Sequence, residues 1–391
     1  MKWPTIRLDE CARIVSGATP STGTPAYWDG SINWATPKDL SDLKGTYIAE
    51  TPRKITEAGL ASCAAEVLPA GSILFSSRAP IGHVAINTVP MATNQGFKSF
   101  IPDPKRIHTN YLYWWLKANR RYLESLGNGA TFKEVSKAVV SRVEIPFPPL
   151  DEQQRIAAIL DHSDALRQKR RETMRKLREL RTSLFLTFFG DPSINPKDWP
   201  IKTIGSLADS TQYGTSAKAG ETGELPILRM GNITYSGEMD FSDLKYITLS
   251  QKELEKYTVR DGDILFNRTN SPELVGKTAI FRGSEPYAFA GYLVRLRPNQ
   301  EADPEYISAF LNSSYGKATL QGMCKSIIGM ANINAKELCS IRIPVPPLAL
   351  QQQFARRISE LSAFSLLHHA HLQQLDALFA SLQHRAFRGE L

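Results

Sequence analysis

The feature that most constrains this chain is an internal repeat. Ile145-Pro146-Phe147-Pro148-Pro149-Leu150-Asp151-Glu152-Gln153-Gln154 returns 198 residues later as Ile343-Pro344-Val345-Pro346-Pro347-Leu348-Ala349-Leu350-Gln351-Gln352. Gly71-Ser72-Ile73-Leu74-Phe75 likewise returns as Gly262-Asp263-Ile264-Leu265-Phe266, and Tyr111-Leu112-Tyr113-Trp114-Trp115-Leu116 is echoed by Tyr306-Ile307-Ser308-Ala309-Phe310-Leu311. Trp3-Pro4 and Trp199-Pro200 open the two copies. A period this long holds a whole domain, which excludes a solenoid of short repeats. The 391 residues also exceed the roughly 250–300 at which single cores stop growing. Two globular domains, each followed by a helix, are expected.

Inside each copy, short apolar runs alternate with turn residues. Ser72-Ile73-Leu74-Phe75, the polar stretch through Gly82 and Val84-Ala85-Ile86 read as strand, loop, strand. Leu112, Trp115, Leu116 and Leu123 fall near one face of a helix expected over 110–126, so each domain is α+β.

Pro146, Pro148 and Pro149, like Pro344, Pro346 and Pro347, remove backbone donors and force extended geometry, which makes a stiff elbow. A helix over about 151–188 follows, with Asp151 and Glu152 at its positive end. At ~1.5 Å per residue it spans roughly 57 Å. Ile159, Leu166, Thr173 and Leu180, with Ser163, Arg170, Leu177 and Leu184, form an imperfect heptad stripe. The second helix, about 349–387, carries Leu361, His368, Leu375 and Leu382, with Phe364, His371 and Leu378. A lone helix would leave its stripe in water, so the simplest arrangement packs the two as an antiparallel intramolecular coiled coil, with a pseudo-two-fold relation inherited from the repeat. Homodimeric pairing is the alternative the sequence leaves open. Gly190, Pro192 and Pro196 end the first helix. The expected organisation is a first globular domain at 1–150, a long helix at 151–190, a second globular domain at 191–347 and a C-terminal long helix at 348–391.

Composition excludes several classes. The chain is 42% hydrophobic and 22% charged, which argues against disorder and membrane embedding. Cys11, Cys63, Cys324 and Cys339 lack metal or redox spacing. No leading apolar signal region and no stretch of about 18 apolar residues appears, so a cytoplasmic location and no membrane partner are expected. Forty-seven Lys and Arg against 39 Asp and Glu give a net charge of +8, which favours a polyanionic partner. There is no Walker-type phosphate loop and no nucleophile–base spacing. His368, His369, His371 and His384 have no carboxylate or thiolate companions at metal-ligand spacing, so no metal site is expected.

The Pro-Pro-Leu block with its glutamines, seen twice, and the Phe189-Gly190-Asp191-Pro192 break carry a family resemblance. So do two unlike globular regions alternating with two similar helices. Over nearly its whole length the chain resembles the specificity subunits of type I restriction-modification systems. The resemblance implies target-recognition domains that each read half of a split double-stranded DNA sequence. It implies helices that set the spacing and dock two methyltransferase subunits, with two restriction subunits as optional further partners. The chain itself is then non-catalytic and binds no cofactor; S-adenosylmethionine, ATP and Mg belong to the partner subunits. Docking falls to the elbows, at Pro148, Pro149, Glu152 and Gln153 and at Pro346, Pro347 and Gln351. In the second elbow Ala349-Leu350 replaces Asp151-Glu152, which reads as drift at an exposed helix start. By the same resemblance an amino-methyltransferase needs Asp or Asn before Pro-Pro and an aromatic residue after it; Phe147-Pro148-Pro149-Leu150 and Val345-Pro346-Pro347-Leu348 supply neither. The competing readings are a self-contained DNA-modifying enzyme, and a coiled-coil scaffold or general nucleic-acid binder without sequence preference.

Two half-sites on one duplex face need modules about 34–36 Å apart, or a multiple of that, which a rod of the expected length can hold. Phosphate contacts call for Lys and Arg, and base edges for Arg, Lys, Asn, Gln, Ser or Thr on exposed loops. The first copy offers Ser76, Ser77 and Arg78 at a strand exit, and Asn94, Gln95 and Lys98 around a later turn. The second offers Asn267, Arg268, Thr269 and Asn270 at the equivalent exit. Lys38, Lys133, Lys218, Arg229, Lys277 and Lys325 are further candidates. The run Arg167-Gln168-Lys169-Arg170-Arg171, with Arg175, Lys176 and Arg178, suits either the duplex and a partner or an ordinary solvated helix face.

Overall fold

The computed structural model describes residues 3–78, 80–129, 133–271, 274–327 and 330–391, without the side chains of residues 270, 325–327 and 330. The chain forms two compact units: Met1–Arg170 with His371–Leu391, and Arg171–Ala370. Each unit takes part of both long helices, Leu150–Phe189 and Leu348–Ala386.

The first unit is closed by Thr5–Arg7 pairing antiparallel with Glu144–Pro146, and the Phe147 N–H donates to the Pro4 carbonyl at 2.7 Å. A five-stranded sheet runs in the order Ala12–Ser16, Lys98–Pro102, Ile73–Phe75, Val84–Asn87, Tyr47–Ile48. A smaller sheet has Trp28–Ala35 between Lys54–Ile55 and Met91–Thr93. The expected single helix over 110–126 is two, Thr109–Ala118 and Arg120–Ser125. Asn119 breaks it, its side-chain amide donating back to the Trp115 carbonyl at 2.9 Å, the local competition that disfavours Asn within helices. The Thr109–Ala118 helix buries Tyr111, Leu112, Trp114 and Trp115 in one core with Ile156 and Leu160 of the central helix and Phe379 of the C-terminal helix. Trp114 Nε1 donates to Asp161 at 2.7 Å, and its ring meets Phe379 edge-on at 5.4 Å.

The second unit repeats the plan. Ile201–Thr203 pairs with Arg342–Pro344, and the Val345 N–H donates to Pro200 at 2.7 Å. One sheet runs Ala208–Tyr213, Leu293–Pro298, Ile264–Asn267, Thr278–Ile280, and another Lys245–Ile247, Leu225–Leu228, Tyr287–Phe289, Thr258–Val259. A small third sheet places Met330–Asn332 between Thr269–Asn270 and Lys325–Ile327. Phe185 and Phe189 from the end of the central helix pack with Phe354 and Ile358 from the start of the C-terminal helix, around Tyr306. Gly190 then stops the central helix at φ 80°, a left-handed cap that glycine adopts without steric cost.

The expected heptad seams need correction. Leu166, Leu180, Phe364 and Leu378 are 41, 44, 58 and 50% exposed, while the buried positions of the central helix include Gln153, Ile156, Leu160, Ser163, Phe185 and Phe189. Each helix end satisfies its apolar face on the core of its own unit, so burial concentrates at the ends rather than along a seven-residue repeat.

Candidate nucleic-acid interface

Backbone hydrogen bonds define which loop residues correspond. Ser76 donates its N–H to His83 and its carbonyl accepts from Gly82; Asn267 does the same with Lys277 and Gly276, all at 2.8–2.9 Å. Ser77 is held by the Gly96 carbonyl and the Val135 N–H, Arg268 by Tyr292 and Ile333 in the same way, at 2.7–3.0 Å. Gly82 and Gly276 sit at φ 87° and 76°. A Cβ there would meet Arg120 at 2.6 Å or Leu320 at 2.7 Å. The two strand exits are thus one scaffold carrying different side chains.

In the first unit the structure corrects three candidates. Ser76 and Ser77 are fully buried, their hydroxyls donating to Pro80 at 2.7 Å and Gly96 at 3.1 Å; they shape the loop instead of facing a ligand. Lys98 is also buried, with Nζ 3.4 Å from Glu134. Arg78 is half exposed and its Nε donates to Glu134 at 2.8 Å. The Asn94 side chain accepts from the Gly96 N–H at 2.9 Å, and exposed Gln95 takes the Thr19 hydroxyl. Gly96 lies against Pro37, one residue before exposed Lys38. Exposed Lys133 adjoins Glu134. Lys38, Arg78, Gln95 and Lys133 therefore gather around one turn cluster. Sequence reasoning missed Thr19 and Glu134; a carboxylate within a basic loop set was the available signal for Glu134.

In the second unit two more candidates are corrected. Asn267 is fully buried, and Lys277 is buried with its ammonium donating to the Met230 carbonyl at 2.7 Å and to Ile233. Burial lowers its pKa, and its work is to tie that loop down. Arg229 is engaged by Asp243, Nη2 to Oδ2 at 3.0 Å. Lys218 is exposed. Thr269 pairs with Asn332 in the small sheet. The side chains of Asn270 and Lys325 lie outside the described residues. Arg268, half buried, stands over the Tyr213 ring at 4.9 Å. Tyr213 and Asn332 were missed, since nothing local in the sequence marks them.

The elbows hold a further correction. Gln153 and Gln351 are fully buried, and Pro148 and Pro346 are buried too. They lie inside the fold and offer no docking surface. Pro149 and Pro347 are exposed, and Glu152 pairs with Arg155 at 2.7 Å, a hydrogen bond that holds its carboxyl below the usual range. At the position matching Glu152, Leu350 packs against the second core, which gives the loss of the acidic pair a packing reason. In the basic run, Arg167 bridges Asp164 and Asp376 at 2.7 and 2.6 Å, and Arg175 is held by Glu172 and Glu179, so much of that charge is compensated locally.

Comparison with known proteins places these observations. The type I restriction modification DNA specificity domain matches residues 1–175 and 196–377. The chain is similar to the MjaIX specificity subunit of Methanocaldococcus jannaschii, 31% identical over 289 residues, 68% of this chain and 66% of that one. That share is just under two thirds of the relative's length. It is also similar to the EcoKI specificity subunit of Escherichia coli K12, 26% identical over 339 residues, 81% of this chain and 73% of that one. In fold it resembles the S subunit of a type I restriction-modification system from M. genitalium, with a TM-score of 0.62 at 16% identity over 99% of this chain and 96% of that one.

Proposed function

The chain belongs to the type I restriction modification DNA specificity family, and from that membership we propose that it is the sequence-reading subunit of a type I restriction-modification complex. Each unit recognises one half of a split duplex target. The long helices set the gap and hold two methyltransferase subunits, with two restriction subunits as optional further partners. The chain performs no chemistry itself; S-adenosylmethionine, ATP and Mg act on the partner subunits. A cytoplasmic location goes with this reading, and among the described residues no helix is long and apolar enough to cross a membrane.

One observation carries the proposal: two strand exits share the same backbone hydrogen bonds, yet the side chains that reach the surface are Arg78 in one unit and Arg268 and Thr269 in the other. A reader of two different half-sites needs a constant scaffold with unlike tips, whereas a scaffold protein has no use for them. Lys38, Arg78, Gln95 and Lys133 are the proposed contacts of the first unit, and Lys218, Arg268 and Thr269 of the second. Antiparallel packing of the long helices, with a pseudo-two-fold relation, is part of the proposal. It is supported within the first unit by the Arg167–Asp376 ion pair and within the second by Phe185 and Phe189 against Phe354.

The test is to express the chain with a type I methyltransferase subunit in a host without its own modification and sequence the methylated bases. Two short defined sequences at a fixed gap are expected. Salt-sensitive binding equal on all duplexes, with no methylated motif, would mean a general basic scaffold.

A further inference from the structure

Where the strand Ile264–Asn267 leaves its four-stranded sheet for the small sheet of the second unit, three neighbouring residues carry unmet polar groups. Both side-chain amide atoms of fully buried Asn267, Nε of Arg268 and Oδ1 of Asn332 are buried without a hydrogen-bond partner. Asn232 in the same unit shows the ordinary alternative, its amide accepting from the Arg229 N–H and donating to Asp240 and Asp243 at 2.8–2.9 Å. Buried polar groups are costly to leave unpaired, and of these side chains those of Arg268 and Asn332 reach the surface, where a ligand can complete them.

Arg268 is the group best placed to receive one. Its backbone is pinned on both sides, by Tyr292 at 3.0 Å and Ile333 at 2.9 Å. Its guanidinium lies over the ring of Tyr213 at 4.9 Å. That ring is itself fixed, the Tyr213 hydroxyl accepting the Ala335 N–H at 2.9 Å. Among the described residues no carboxylate bridges this guanidinium.

In the first unit buried Ser77 stands where Arg268 does, and the charged pair lies one position on, Arg78 and Glu134 matching Thr269 and Asn332. Val135 binds the Ser77 carbonyl as Ile333 binds that of Arg268, so Glu134 corresponds to Asn332. Glu134 cancels the charge of Arg78 at 2.8 Å; Asn332 is neutral. The Gly17 and Gly214 N–H groups donate to Phe97 and Leu293 in the same way, so Ser16 stands where Tyr213 does and the first unit has no aromatic platform at this place.

Resting on the DNA-reading function above, we propose that Arg268, held over the ring of Tyr213, reads a guanine in the half-site of the second unit. A guanidinium on a pinned backbone and against an aromatic ring is well placed to pair with the O6 and N7 acceptors of guanine in the major groove. A phosphate can also take the fork of a guanidinium, but only a base contact ties Arg268 to the preference at a single position of the motif. Tyr213 is a positioning residue whose ring does the work.

The experiment uses the methyltransferase complex and sequencing of methylated bases. With Arg268→Lys, preference for guanine at one position of one half-site should fall by roughly 10- to 100-fold, with the other half-site and the gap unchanged. Tyr213→Leu should relax the same position, while Tyr213→Phe, which keeps the ring but loses the hydroxyl that accepts the Ala335 N–H, should relax it less. The unchanged half-site reports that each variant is folded. A motif identical to wild type with Arg268→Lys overturns the inference but not the DNA-reading function. So does a uniform loss of methylation on every site with Arg268→Ala at unchanged thermal stability, which makes Arg268 a phosphate contact. Absence of any motif with the wild-type chain overturns the function itself.

Discussion

Gln153 and Gln351 occupy the same place in the two units. Each is fully buried at the start of a long helix. The Gln153 side chain accepts the His108 N–H at 2.8 Å and donates to the Pro148 carbonyl at 2.9 Å; Gln351 accepts the Asp303 N–H at 2.9 Å and donates to Pro346 at 2.7 Å. Tyr111 and Tyr306 close the same joint through the carbonyls of Pro146 and Pro344. Prolines stiffen the elbow, and a buried amide bolts it to the domain.

Replacing either glutamine by leucine strands a backbone donor and acceptor in the interior. We expect Gln153→Leu and Gln351→Leu each to cost about 2–4 kcal/mol, measured by urea unfolding. A change under roughly 0.5 kcal/mol, the range of ordinary surface substitutions, would show that the elbow does not depend on the amide.

Arg78 is shared between Glu134 and solvent. If it reaches one phosphate of bound DNA, Arg78→Ala should lower the slope of log K against log salt by about 0.9 and leave the methylated motif unchanged. Binding titrations over a salt series check this. An unaltered slope removes Arg78 from the interface.

Lys317 gives a pH dependence with a definite sign. Burial, then the nearby charge of Lys277, pushes its ammonium down to about 8, where it sits over Tyr235 at 4.8 Å. Between about pH 8 and the ordinary lysine value, the unfolded chain holds the proton and the folded chain does not, so stability contributed by this group rises with pH. The penalty for burying the charge is full below about pH 8 and is relieved as the pH climbs. Relative to Lys317→Met, the wild type should gain about 2–3 kcal/mol over that window. Parallel slopes for the two proteins in unfolding experiments would refute this.

The spacer reading predicts a separable phenotype. Inserting about one helical turn near Leu177, matched by an equal insertion near His368, should lengthen the gap in the methylated motif without changing either half-site. Altered bases at an unaltered gap would mean that the helices are not the ruler.

The sequence alone determined the duplication, the two elbows and the two long helices. These follow from local chemistry: prolines lack donors, glycine tolerates the turn at Gly190, and uninterrupted helix-forming residues lie between them. It also carried the family resemblance, because those signals recur in order along the chain. Tertiary structure decided which candidates face a ligand. Ser76, Ser77, Lys98, Asn267 and Lys277 look like loop or surface polar residues in one dimension, and burial assigns them to the scaffold. The partnership of Arg78 with Glu134 and the seat of Arg268 on Tyr213 join residues more than 50 positions apart. Charge and hydrogen-bond satisfaction depend on distance in space, and only the folded backbone sets that distance.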